Sequence, residues 1–211
     1  MIKIRPLYWV IIISLALFIG LMTLAPKEQG FNTAHLPWNA QYDDQGRLHA
    51  LGVVMNESTL KDLIALYGRD IEVKLFEMPG GERSAEAYIH SAYIGSIHGS
   101  LVIKLAMTDE MLDRYYDRGA RTTISKQGAR EVQLNNEDTL ALFNYPINEV
   151  TLVPRRRLTE VAIEKRFGPP DRINLTQDDI KSLYYDDKGL ELILIDKGND
   201  ILRYRANSTG S

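Results

Sequence analysis

The sequence predicts an α+β fold: one N-terminal transmembrane helix, followed by units that each set a helix before an antiparallel three-strand meander. Three observations predict it. An uncharged apolar run opens the chain from Leu7 to Leu24. Helix-period stripes with cap and stop residues recur at Leu60–Tyr67, around Met111–Tyr116 and before Gly168. Alternating stretches broken by Gly- and Asp-rich turns follow the first and last of these helices.

The chain has 211 residues, with 25 Lys and Arg against 28 Asp and Glu, for a net charge of −3. That balance excludes a strongly basic nucleic-acid binder, so no nucleic-acid partner is expected. It has no cysteine. A disulfide framework, a thiolate metal site, a cysteine nucleophile and a lipid anchor on cysteine are therefore excluded.

Leu7 to Leu24 gives 18 residues without a charge, and Pro6 and Ala25 extend the run to 20. A helix of that length covers about 30 Å, the thickness of a bilayer's hydrocarbon core. Tyr8 and Trp9 stand where aromatic rings favour the membrane interface, and Lys3 and Arg5 precede the run. The expectation is a bacterial inner-membrane protein with a single pass. Residues 1–6 form a short cytoplasmic N-terminus, residues 7–25 a signal anchor in contact with the lipid bilayer, and the remainder is periplasmic. A cleaved signal peptide is the alternative. The apolar core is long for one, and Pro26 follows the small-residue site Thr23-Leu24-Ala25.

Residues 26–47, with Gly30, Pro37 and Gly46, read as a tether whose Phe31, Leu36 and Trp38 are available for docking. Residues 48–135 form a first α+β unit. Its helix begins at Thr59 in a capping-box pattern with Asp62, buries Leu60, Leu63, Ile64 and Tyr67, and stops at Gly68. Strands follow at Ile71–Phe76, Ala87–Ile97 and Leu101–Leu105. A helix from Asp109 to Arg118 is capped by Thr108, and a hairpin joins Thr122–Ser125 to Glu131–Leu134. Residues 136–211 form a second α+β unit. It has a short helix at Asn136–Phe143, a strand at Glu149–Val153 and a helix at Leu158–Phe167. A meander of Ser182–Tyr185, Leu190–Ile195 and Ile201–Arg205 closes it. Thr59 to Gly68 and Thr159 to Gly168 share their spacing, and an aromatic precedes each glycine. Two readings stay open: a tandem duplication, or independent use of a common helix–hairpin arrangement.

The stretch from Leu158 to Asp171 ends its helix in Phe167-Gly168-Pro169-Pro170. A Tyr184-Tyr185 strand, a Gly189-Leu190-Glu191-Leu192 strand and a closing strand at Ile201 follow. This C-terminal third resembles the small outer-membrane lipoprotein family (BamE/SmpA type) that accompanies the β-barrel assembly machinery. That family's domain packs two helices on a three-stranded antiparallel sheet, and β-lactamase inhibitor proteins share the fold in tandem. The resemblance implies a periplasm-like location and a fold that works by binding proteins. The chain departs from the family in having no cysteine to carry a lipid.

The residues with chemical potential are few. Ser96 and His98, two apart on a strand, face one side, but no acid stands near in sequence to orient the histidine. His35, His49, His90 and His98 include no pair at metal-ligand spacing, so no metal or cofactor is expected. The carboxylate pairs Asp43-Asp44, Asp178-Asp179 and Asp186-Asp187 occupy turn-like segments, where cap chemistry explains them. Asn56, Asn174 and Asn207 head glycan-acceptor patterns that cap and turn use also explains. Arg155, Arg156 and Arg157 precede a helix start, where the dipole disfavours cations. With Arg166 and Arg172 they are the candidate contact for an acidic partner or for lipid head groups. The functional expectation is non-catalytic protein binding or scaffolding in the cell envelope, not an enzyme. The alternative is an anchored hydrolase using Ser96 and His98 or a carboxylate pair.

Overall fold

Alternation of apolar and polar residues carries most of the described chain into strands. The computed structural model describes residues 14–15, 17, 32–119, 121–125, 128–176 and 180–206. It divides into Met1–Asn32 and Thr33–Ser211, and among the described residues every strand belongs to the second unit. In chain order the strands are β1 (Gln41–Tyr42), β2 (Leu48–Ala50), β3 (Val53–Val54), β4 (Ile71–Glu77), β5 (Arg83–Ile94), β6 (Ile97–Leu105), β7 (Arg121–Ile124), β8 (Arg130–Gln133), β9 (Ile147–Pro154), β10 (Arg172–Leu175), β11 (Ile180–Tyr185), β12 (Leu190–Ile195) and β13 (Ile201–Arg205). The helices of this unit are α1 (Leu60–Tyr67), α2 (Asp109–Tyr116), α3 (Asn136–Leu142) and α4 (Glu160–Phe167).

Strands β1–β3 make a small sheet, and the other ten form one antiparallel sheet in the order β10-β11-β12-β13-β9-β6-β5-β4-β8-β7. This corrects the expected α+β fold of separate helix–meander units, because the fold is mostly β. The decisive strand is β9. It pairs with β6 on one side and β13 on the other, so the two meanders fuse into one sheet. Local alternation cannot reveal such pairing, because its partners lie about fifty residues away in both directions.

The register explains why the sheet has one buried face. A cross-strand row runs Ile173–Leu183–Leu192–Leu202–Leu152–Leu101–Ile89–Ile71, apolar throughout. The adjacent row on the opposite face runs Arg172–Tyr184–Glu191–Arg203–Thr151–Val102–Tyr88–Glu72, mostly polar or charged. A slip by one residue would exchange these faces, so burial locks the register. Gly99 adds a steric constraint. A Cβ there would sit 2.6 Å from the Val153 carbonyl oxygen, so only glycine lets β6 and β9 approach as they do.

The helix at Thr59 caps as the sequence predicts, and α4 starts two residues later than the expected Leu158, with Thr159 as its N-cap. The Thr59 N–H donates to Asp62 Oδ2 at 2.8 Å, and Thr159 Oγ1 accepts from the Ala162 N–H at 3.2 Å. Gly68 and Gly168 end α1 and α4 at positive φ. Leu60 and Leu63 of α1 and Ile163 and Phe167 of α4 enter one buried cluster with the row's members from Leu183 to Ile89. The topology argues against tandem duplication. Both third strands, β6 and β13, lie antiparallel to β9, and the meanders run toward it from opposite sides with their helices on the same face. Units so related are mirror images in layout, and no rotation superposes them.

Residues 33–54 are fastened to the fold. Ala40, Leu48 and Leu51 are buried. Trp38 meets Phe167 edge to face, and the Arg166 guanidinium lies 4.0 Å from the Trp38 ring centre. The Tyr204 hydroxyl, on a fully buried side chain, donates to the Pro37 carbonyl at 2.9 Å. In the Asp43–Arg47 turn, Asp43 accepts from both Arg47 and His49. These bonds, Arg47's foremost, hold its carboxyl well below the usual carboxylate range. A depressed folded-state pKa gives a stability contribution that is present above the unfolded value, about 3.9, and lost as pH falls through the folded one. Asp43→Asn is therefore expected to be less stable than the parent in urea titrations at neutral pH. The difference should shrink as pH falls below about 3.9.

The membrane expectation is also corrected. Among the described residues no helix is long and apolar enough to cross a membrane. The longest helices of the second unit have 8 residues, or about 12 Å of rise against about 30 Å of hydrocarbon. Of the expected anchor at 7–25, only Ser14, Leu15 and Leu17 are described, as helical and exposed; the rest lies outside the described residues. The single-pass signal anchor, the inner-membrane location and the periplasmic side assigned from it are accordingly not supported.

Candidate functional site

The β5–β6 hairpin turns on two residues, Gly95 and Ser96, with Gly95 at φ +63°. Glycine in the first position of a two-residue loop matches the twist of the flanking strands. The turn places Tyr93 directly opposite His98. Beyond His98, the Arg155 N–H donates to the His98 carbonyl at 2.9 Å, extending the β6–β9 ladder by one residue. Tyr93, His98 and Arg155 thus form one cross-strand row. Their neighbours Ala92, Ile94, Gly99 and Pro154 are buried, so the row lies on the polar face.

The Tyr93 and His98 rings stack with centroids 4.3 Å apart and planes within 3°. His98 Nε2 shares a 3.0 Å hydrogen bond with Ser91 Oγ, at the bulge between Ile89 and Ala92. Stacking and hydrogen bond together fix the imidazole, yet Tyr93 remains 68% exposed.

The arginine segment is held at several points. Arg157 donates to the Asp196 carbonyl at 3.0 Å, and its guanidinium is 3.9 Å from the Asp196 carboxylate. Next to it, the Leu158 N–H donates to Asp200 Oδ2 at 2.6 Å, and Asp200 is buried. Arg155, Arg156 and Arg157 are all exposed. Among the described residues no ion pair engages Arg155 or Arg156. The fold therefore presents two guanidinium groups without ion pairs on an anchored backbone, and Arg155 stands in the same cross-strand row as the exposed Tyr93 ring. Tyr93 is the residue that reading the chain alone misses. Its signal is the hairpin turn at Gly95-Ser96, which fixes what stands opposite His98.

The other candidates disperse. Ser96 is exposed in the turn and makes no hydrogen bond with His98, whose ring is taken by Ser91. Asp43 is engaged as described, and Asp186 pairs with Arg172 at 2.8 Å and Asp187 with Lys188 at 2.7 Å. Asp178 and Asp179 lie outside the described residues. His49 bonds Asp43 at 2.9 Å, and His90 faces Glu72 at 3.4 Å. Among the described residues no group of three or more His, Asp and Glu side chains could hold a metal ion. Arg166 covers Trp38, and Arg172 covers Tyr184 at 4.7 Å, so neither joins Arg155–Arg157 as a free cation.

Comparison with protein-family models, with curated proteins and with solved structures finds no match.

Proposed function

We propose that the chain is a non-catalytic protein-binding module that takes an acidic segment of a partner at Arg155, Arg156 and Tyr93. The observation that carries this reading is two exposed arginines without ion pairs, the first of them in one cross-strand row with His98 and with the exposed Tyr93 stacked on that imidazole. Arginine and tyrosine dominate binding hot spots because both bury large area at low entropic cost once their geometry is fixed. Two free cations select against basic partners and steer acidic ones. Placing cations just before the N-terminus of α4 costs a few tenths of a kcal/mol, which a stability role does not explain.

Panning a library of random linear peptides against the full chain tests the reading. The expected result is enrichment of Asp- and Glu-rich sequences whose affinity falls with added salt. The variant R155E/R156E should weaken their binding by about tenfold, roughly 1.4 kcal/mol. Ser96→Ala should leave it unchanged. Selection of peptides without acidic residues, or equal binding by the charge-reversed variant, would contradict the proposal.

A further inference from the structure

The apolar row of the sheet does not end in cover. Its last member, Ile173 on edge strand β10, is 56% exposed, and Leu175 on the same strand and face is 72% exposed. Beside Ile173, between α4 and β10, lies a hollow of about 280 Å³ lined by Ile163, Ile173, Leu183 and Leu194 together with Glu160 and Lys181. Natural edge strands are blunted by lysine, proline, a bulge or a covering element. Arg172-Ile173-Asn174-Leu175 contains no lysine or proline, and its pairing with β11 is regular.

The backbone of β10 is equally open. The Thr176 N–H donates to the Ile180 carbonyl, so by antiparallel alternation the even residues of β10 face β11. The N–H and C=O groups of Ile173 and Leu175 then point away from the sheet. A strand docking there must offer two outward-facing residues at the same spacing, with apolar side chains on the buried face.

From these facts we infer that β10 pairs with β10 of a second copy of this chain, antiparallel, about a two-fold axis through Asn174. That register sets Ile173 against the second copy's Leu175 and Leu175 against its Ile173. Both are apolar pairs on the buried face, and both are hydrogen-bonding pairs, for roughly four interchain backbone bonds. Asn174 meets its own copy. Arg172 meets Thr176, so no like charges oppose. The apolar row continues across the boundary, and the two sheets become one. The interface is isologous and closes on itself. The opposite edge does not share this property. On β7 a two-fold through Thr123 would set the exposed Ile124 against Thr122, an apolar side chain on a polar one.

The test uses a cysteine at the axis, since the chain has none of its own. In a non-hydrogen-bonded antiparallel pair the Cα atoms stand about 4.5 Å apart, within disulfide range. Under mild oxidation the full-length N174C chain should shift from 24.0 kDa to twice that mass on non-reducing gels. Thr123→Cys, at the other edge, should stay at monomer mass. Adding I173K and L175K to N174C should abolish the shift while circular dichroism remains that of a folded sheet. Equal cross-linking of N174C and T123C, a monomeric N174C, or linkage of the N174C chain to a different protein in place of its own copy would overturn the inference.

Discussion

Leu152→Ala is expected to lower the unfolding free energy by about 2–5 kcal/mol and to do so for the whole of residues 33–206 at once. Leu152 is fully buried at the centre of β9, with Leu101 of β6 on one side and Leu202 of β13 on the other. Truncation removes buried methyl groups and leaves a cavity that three strands cannot all close. Because β9 joins the two meanders, the loss is shared. Urea unfolding followed by circular dichroism and by Trp38 fluorescence, in a Trp9→Phe background, should shift in parallel. Leu101→Ala, on the other meander, should move the Trp38 signal by a similar amount although Trp38 packs against Phe167 of α4. Two transitions, only one of them sensitive to Leu101, would mean that the halves unfold separately.

Tyr204→Ala should be at least as severe, about 3–5 kcal/mol by analogy with other large aromatic truncations. The ring is fully buried, and its hydroxyl donates to the Pro37 carbonyl, tying β13 to the segment that leads into β1. Losing the ring opens a cavity beneath residues 36–40, and losing the bond leaves a buried carbonyl unsatisfied. Burial also pushes the Tyr204 phenol well above its ordinary pKa, so the hydroxyl remains a donor at physiological pH. Limited proteolysis should find cleavage within residues 33–47 in Tyr204→Ala and not in the parent. Tyr204→Phe keeps the ring and should cost only about 1–3 kcal/mol. If Tyr204→Phe matched Tyr204→Ala, the hydrogen bond rather than the packing would be the fastening.

Elements whose signals are local were legible in the chain. Thr59 and Gly68 mark the ends of α1, and Gly168 the end of α4, within a residue, because caps and positive-φ stops act over three or four residues, whereas the start of α4 was read two residues early, at Leu158. The meander of β11–β13 shows in its turns. What escaped was non-local. The alternation of Glu149–Val153 marks a strand, but nothing in it says that β6 and β13 both lie beside it. Strand β10 is only Arg-Ile-Asn-Leu after two prolines, too short for a periodic signal. Reading the second strand through Ile97 hides the turn at Gly95-Ser96, and with it the stacking of Tyr93 on His98. Arg155–Arg157 stood out as a charge run, whereas their anchoring by His98, Asp196 and Asp200 depends on residues about forty to sixty positions away. The anchor expected from Leu7 to Leu24 rested on length, hydrophobicity and flanking residues, and most of that run lies outside the described residues.

The junction of β6 with β9 carries the single sheet, the buried row and the placement of Arg155 beside His98. A nuclear Overhauser measurement between the α-protons of Leu101 and Leu152 tests it most directly. The Arg155–His98 bond makes Leu101 and Leu152 a non-hydrogen-bonded pair, with Cα atoms about 4.5 Å apart and α-protons in contact. A strong cross-peak between these two protons is the expected result. Its absence, with the β4–β6 and β11–β13 meanders each showing their own internal cross-peaks, would contradict the continuous sheet.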